Sequence, residues 1–351
     1  MFAARKDSLL RTLDDMGSHQ QGNHGWSLFH ESLGRVARTD PTPGLDRLLT
    51  ALWSQRPDIS DAHAITLLGI AVRQLAEQEG GPDEVFRGEL PIESRSAVLE
   101  RALDENAGEV TRLMENHSNS YTGARRFLLP QLVVGAFAHA RRIERVRLLD
   151  LGTSIGLLLR QLNNRPVYER FADDLRWRPK APPYREIPLD FLRGVDRPPL
   201  PTLDWVRTCH GPSDYYERRF EEVLWSLGQS RAAADPLIEE LDILDLLSLS
   251  RFLVAHEINV VTCNFVLYQY SEEIRERIVE TVRNSLAAPG MLLSMEPSHE
   301  LTQMGCTVRA YPAGSEEVLH IADVSDAHFM GEVTLHEGLE ALTGAGWRGE
   351  P

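Results

Sequence analysis

The sequence predicts an α/β fold, with a helical N-terminal region over residues 1–115 leading into a mostly parallel sheet over 116–351. Three observations predict it. No strand pattern occurs before about residue 143. Beyond that point short apolar runs, VRLLDLG (146–152), INVVTCN (258–264) and MLLSMEP (291–297), alternate with helical stretches. Such alternation implies right-handed crossovers and a parallel sheet. The third is the stretch 271–286, where Ile274, Ile278, Val282 and Leu286 fall on one helical stripe behind the capping residue Ser271.

The elements follow in order. MGSHQQGNHG (16–25) is polar and glycine-containing and reads as a mobile loop. LDRLLTALWSQ (45–55) has helical periodicity. SDAHAITLLGIAVRQLAEQ (60–78) starts on Ser60 and Asp61 and is apolar on most faces, a central helix whose stripe core packing or a protein partner can use. EGGPDE (79–84) breaks the chain, and 93–116 reads as one or two helices. Residues 124–142 read as a helix that Pro130 would kink. The run 146–152 is a buried strand, and 154–164 the helix after it. Residues 165–210 are rich in proline and charge and carry no assignable pattern. Helix returns at 213–230; 307–324 and 328–335 read as antiparallel strands.

Composition narrows the function. The chain has 351 residues, 42% hydrophobic and 25% charged, enough for one large or two ordinary domains. Its net charge of −15 repels a phosphate backbone, which argues against nucleic-acid binding. Cys209, Cys263 and Cys306 are widely spaced, and no CxxC is present. That fits a reducing compartment and no disulfide framework. No apolar run is long enough to span a bilayer, and the first residues lack a leader pattern, so the expectation is a cytoplasmic protein with no membrane partner.

Ligands of such sheets sit at the carboxyl ends of the strands, which directs attention to the residues after 149, 262 and 296. At the first of these the sequence reads Asp150-Leu-Gly152-Thr153-Ser154-Ile-Gly156. Glycine permits close backbone approach, and a following helix offers free N–H groups. The alternative is a tight turn in a buried core, with Asp150 capping the next helix. The motif resembles the first motif of the class I S-adenosylmethionine-dependent methyltransferases, and the implied architecture is Rossmann-like. The resemblance makes Asp150, Gly152, Thr153, Ser154 and Gly156 the cofactor-binding elbow, with Ser154 where a middle glycine is common. It also implies a second strand ending in an acid that grips the ribose. The corresponding stretch, RPVYERFADDLRWRPK (165–180), has no strand-length apolar run, and Asp174, Asp173 or Glu169 would have to supply that acid. After the later strands come Asn264, then Glu296 and His299, as candidate catalytic groups.

The order of further segments, among them FHESLGRVARTDP (29–41), NSYTGARRFLLPQL (119–132), WVRTCHGPSDYYERR (205–219) and AYPAGSEEVLHIADVSDAHFMGEV (310–333), is similar to an uncharacterised bacterial family with a methyltransferase-like core. That family resembles, in part, the aziridine-forming proteins of azinomycin-type antibiotic pathways. Two enzymatic readings follow from the resemblance: methyl transfer from S-adenosylmethionine, or cofactor-independent ring closure that expels sulfate with a small partner protein. A non-catalytic scaffold is the third reading. Ring closure needs a carboxylate base, for which Asp150 is the candidate, and donors for the leaving oxyanion. Candidate substrate-binding residues are Asn119, Tyr121 and Arg125 before the first strand, and Asp214, Tyr215 and Arg218 on one helical segment. Arg125 would hold a carboxylate or sulfate bidentately, and Asp214 and Arg218 have the i,i+4 spacing of a surface pair. His210 and His299 titrate in the neutral range by residue type. No ligand-spaced metal cluster, phosphate loop or GxSxG is visible.

Overall fold

The structure is a computed structural model that describes residues 2–18, 24–39, 42–78, 80–230, 237–298 and 305–344. Six helices come first: α1 (Phe2–Ser18), α2 (His24–Arg38), α3 (Pro43–Gln55), α4 (Asp61–Ala76), α5 (Ile92–Glu105) and α6 (Ala107–Asn116). Then helices and strands alternate: α7 (Leu128–Ala140), β1 (Val146–Leu151), α8 (Leu157–Gln161), α9 (Arg165–Ala172), β2 (Arg176–Arg178), β3 (Leu189–Asp196), α10 (Leu203–His210), α11 (Asp214–Gln229), β4 (Leu237–Glu240), α12 (Leu246–Ala255), β5 (Val260–Asn264), α13 (Glu272–Ser285) and β6 (Met291–Pro297). The chain closes with β7 (Cys306–Pro312), β8 (Leu319–Val324), β9 (Glu332–Leu335) and α14 (Glu337–Thr343). Of the loop expected at 16–25, residues 19–23 lie outside the described residues, and residues 16–18 and 24–25 are instead helical, at the end of α1 and the start of α2.

The chain divides into two compact units. Unit 1 holds residues up to 121 together with 201–221 and 268–271; unit 2 holds the rest. A cut at residue 115 therefore does not separate them, because unit 1 includes two later segments, the first of which enters its core. That core runs from Leu9 and Phe29 through Leu52, Ile65 and Leu68 to Trp205, Cys209 and Tyr216. Helix α4 is its centre. Ser60 caps it, accepting from the His63 N–H at 3.1 Å and donating to the Tyr268 carbonyl at 2.7 Å. Ten of its sixteen residues are buried, so its apolar stripe is spent on the core rather than presented to a partner.

Unit 2 is built on a nine-stranded sheet of order β2-β9-β8-β7-β6-β5-β1-β3-β4. Five of the eight pairings among the described residues are parallel, which makes the sheet mostly parallel. The antiparallel part is the β6-β7-β8-β9 meander, at the expected place near the C-terminus. β1 lies between β3 and β5, buried along nearly its whole length, as a run of VRLLDL demands of a central strand.

Three sequence expectations are corrected. Helix α7 starts at Leu128, so Pro130 sits in its first turn, where a missing N–H costs nothing and no kink is required. Residues 165–180 do not supply the strand beside β1. They form α9 and then β2, which pairs with β9 at the opposite edge of the sheet. The strand beside β1 is β3, LDFLRGVD, whose charged residues broke the apolar pattern. No described helix is long and apolar enough to cross a membrane.

Candidate functional site

The elbow lies between β1 and α8. Asp150 sits opposite Gly194 of β3 and Thr262 of β5, one residue before the strand ends. It is 3% exposed, and the Thr262 hydroxyl donates to its Oδ1 at 2.7 Å. Burial pushes its carboxyl up to about 7, against the pull of the Thr262 and Thr153 hydroxyls, and the nearby Asp196 adds to the rise. Asp150, the candidate base, is therefore not an open, solvent-facing carboxylate. Its carboxylate is enclosed, and it shapes the elbow from beneath.

The turn itself needs unusual backbone. Gly152, Ser154 and Gly156 all have positive φ, at 64°, 53° and 69°. At Gly152 a Cβ would fall inside contact distance of the Val266 side chain. Gly152→Ala therefore meets both a left-handed backbone and an overpacked neighbour. The expected loss is about 2–4 kcal/mol of unfolding free energy, read by urea denaturation. Wild-type stability in that variant would show that the turn has room to spare.

The elbow amides are not free, contrary to the expectation. The Val195 carbonyl accepts from Gly152 at 2.9 Å and from Thr153 at 3.1 Å. Asp196 Oδ2 accepts from the Ser154 N–H at 2.7 Å, and its Oδ1 from the Arg197 N–H at 2.8 Å. Ser154 Oγ accepts from the Thr122 hydroxyl at 2.9 Å. Asp196 is the acid that ends the strand beside β1. Burial raises its carboxyl, the two backbone donors oppose this, and Asp242 adds to the rise. Sequence reasoning missed it because no strand was assigned there. The signal was a Gly-Val-Asp ending 44 residues after Gly152, before a Pro-Pro turn.

At the end of β5 stands Asn264. Both its amide atoms are buried, and neither has a hydrogen-bond partner among the described residues. A buried amide without partners costs free energy and calls for an explanation at a site. Beside it, Phe265 has φ of 58°. Glu296, at the end of β6, accepts from the Val266 and Leu267 N–H groups at 3.2 and 3.0 Å, tying the two strand ends together. His299 lies outside the described residues.

The remaining candidates disperse. Arg125 is committed internally. Its Nε and Nη2 donate to the two Glu222 oxygens at 3.0 and 2.8 Å, and Nη1 pairs with Asp174 at 2.8 Å. This bidentate fork was foreseen for a substrate anion, and Glu222 fills it. Asp174 is accordingly not at the end of the strand next to β1, where a ribose acid was expected, and Asp173 closes α9. In unit 1, Asn119 Nδ2 donates to the Tyr268 hydroxyl at 2.8 Å, and its Oδ1 accepts from the Tyr121 N–H at 3.0 Å. The Tyr121 ring packs against His210 at 4.3 Å, tilted by 34°, and His210, buried in α10, bonds through Nδ1 to the Val206 carbonyl at 2.8 Å. His210 is a core histidine in this arrangement. Asp214 and Arg218 are exposed at the start of α11, where an acid favours the helix dipole, and Tyr215 packs against Tyr216.

One grouping was invisible in sequence. His320, Asp323 and His336 bring their ligand atoms within 4.8 Å of one another. Their positions in sequence, two on β8 and one just after β9, gave no ligand spacing by which to find the group.

No protein-family model matches the sequence, and no curated protein matches it.

Proposed function

We propose that this chain is a small-molecule enzyme on a class I methyltransferase-like, Rossmann-type scaffold, taking S-adenosylmethionine at the carboxyl ends of β1, β3 and β5. The observation that carries the reading is the strand order β4-β3-β1-β5-β6, with an elbow after the central strand and an acid ending the strand beside it. That order is the 3-2-1-4-5 of doubly wound folds, in which ligands lie outside the strand ends at the point where the order reverses.

The residues fit the adenosyl half of such a ligand. Each Asp196 oxygen accepts one backbone N–H, which leaves a second acceptor direction on each for ribose hydroxyls. The partnerless Asn264 amide supplies one donor group and one acceptor to a base or substrate edge. When bound, the cofactor supplies an activated methyl group. The charge of the site points the same way. Asp196 ends β3 and Glu296 is the penultimate residue of β6, on either side of β1 and β5, while Asp150 is enclosed beneath the elbow. Where ionised, carboxylates at those two strand ends favour a sulfonium cation over a leaving sulfate. With Arg125 held by Glu222, ring closure by sulfate expulsion is the less supported chemistry.

Isothermal titration with S-adenosylmethionine tests this. Saturable binding at micromolar concentration is expected, weakened at least about tenfold in Asp196→Ala. Silence up to millimolar ligand, or equal binding by wild type and Asp196→Ala, overturns the reading.

A further inference from the structure

The antiparallel meander carries a cluster independent of the strand-end site. We propose that His320, Asp323 and His336 form a binding site for a single divalent transition ion of the zinc class.

The backbone prepares it. On a regular strand, residues three apart point to opposite faces. β8 is not regular. Val308 of β7 faces Ala322 and Arg309 faces His320, so Ile321 is an extra residue in β8. The burial pattern records the slip: Ile321 and Ala322 are buried in succession, and His320 and Asp323 both turn outward. A bulge of this kind re-aims side chains, here onto one face. His336 arrives from the end of β9, its N–H held by the Ile321 carbonyl at 2.9 Å, at that same extra residue.

The side chains converge. Nε2 of His320 lies 2.9 Å from Asp323 Oδ1, and Nε2 of His336 lies 2.9 Å from Oδ2. The two imidazole rings stack at 4.0 Å, 28° apart, which sets both Nε2 atoms on the same carboxylate. A tetrahedral ion with bonds of about 2.1 Å holds its ligand atoms roughly 3.4 Å apart, so small side-chain rotations suffice. The Thr307 hydroxyl donates to Asp323 Oδ1 at 2.9 Å, the outer support that fixes a ligating carboxylate.

Two imidazoles and one carboxylate suit zinc, cobalt, nickel or copper ions better than magnesium or calcium. Side-chain exposures of 46%, 22% and 31% leave the group open to solvent, so water completes the coordination. Three protein ligands with one open position is the arrangement of reactive rather than closed structural zinc sites.

The test uses the full chain without a histidine tag, stripped with a chelator, and titrated with zinc chloride against a chromophoric competitor. One equivalent should bind at micromolar strength or tighter, and cobalt chloride should give the intense visible bands of a four-coordinate ion. His320→Ala, Asp323→Asn and His336→Ala should each weaken binding at least about tenfold, and Thr307→Val by up to about tenfold. His256→Ala, outside the cluster, should leave it unchanged. Zinc should raise the melting temperature of the wild type and not of the His320→Ala/His336→Ala double variant, which also shows that the variant is folded. Absence of saturable binding, or equal binding in all three ligand variants, overturns the site. S-adenosylmethionine binding is not involved in any of these readouts.

Discussion

Asp150→Asn should make the protein more stable than the wild type above neutral pH. The folded carboxyl is raised to about 7 by burial, whereas in the unfolded chain it sits near its ordinary 3.8. Between those values the folded state keeps a proton that the unfolded state has released. Stability therefore falls as pH rises through that window and stays reduced above it. The neighbouring Asp196 is shifted the same way and adds to the wild-type slope. An asparagine at 150 still accepts from the Thr262 hydroxyl but has no charge to bury. The difference in unfolding free energy between the two proteins should change by up to about 4 kcal/mol between pH 4 and pH 8, always in favour of the variant. Urea denaturation of both proteins at several pH values measures it. Histidines titrate in both and cancel in the difference. Parallel curves would mean that Asp150 is ionised in the fold and hydrated, contrary to its enclosure.

Arg125→Met should cost about 3–5 kcal/mol, because it leaves the Glu222 carboxylate uncompensated in a largely buried place. The Arg125 side chain is 6% exposed and that of Glu222 17%, and the pair is bidentate. Arg125→Met/Glu222→Leu should recover most of that loss, since no charge is then buried. A loss below about 1 kcal/mol in the single variant would place the pair among solvent-screened surface contacts.

What the sequence revealed depended on the environment of each strand. β1, β5 and β6 lie in the middle of the sheet, and burial on both faces selects continuous apolar runs. β3 lies nearer the edge, with half-exposed positions that admit Asp190, Arg193 and Asp196, and the pattern dissolves there. Missing β3 meant missing Asp196 and assigning its place to Asp174. The left-handed elbow was legible in Gly152 and Gly156. That its amides are satisfied from β3 was not, because long-range hydrogen bonds leave no mark on local spacing. Arg125 shows the same limit: a bidentate fork is recognisable in sequence as a potential, but its occupant, Glu222, lies 97 residues away. The histidine cluster was hidden by a one-residue bulge, which breaks the rule by which faces are counted along a strand.

The threading of unit 1 bears on how the protein is made. Its core includes Trp205, Cys209 and Tyr216, and residues 268–271 also belong to it. Chains generally fold domain by domain as they leave the ribosome, N-terminal domain first. Here the leading helices emerge early yet wait for their last packing partners until most of the chain has been translated. A ribosome stalled before residue 205 holds a helical bundle with an open flank, and that nascent stage is where chaperone dependence should be greatest.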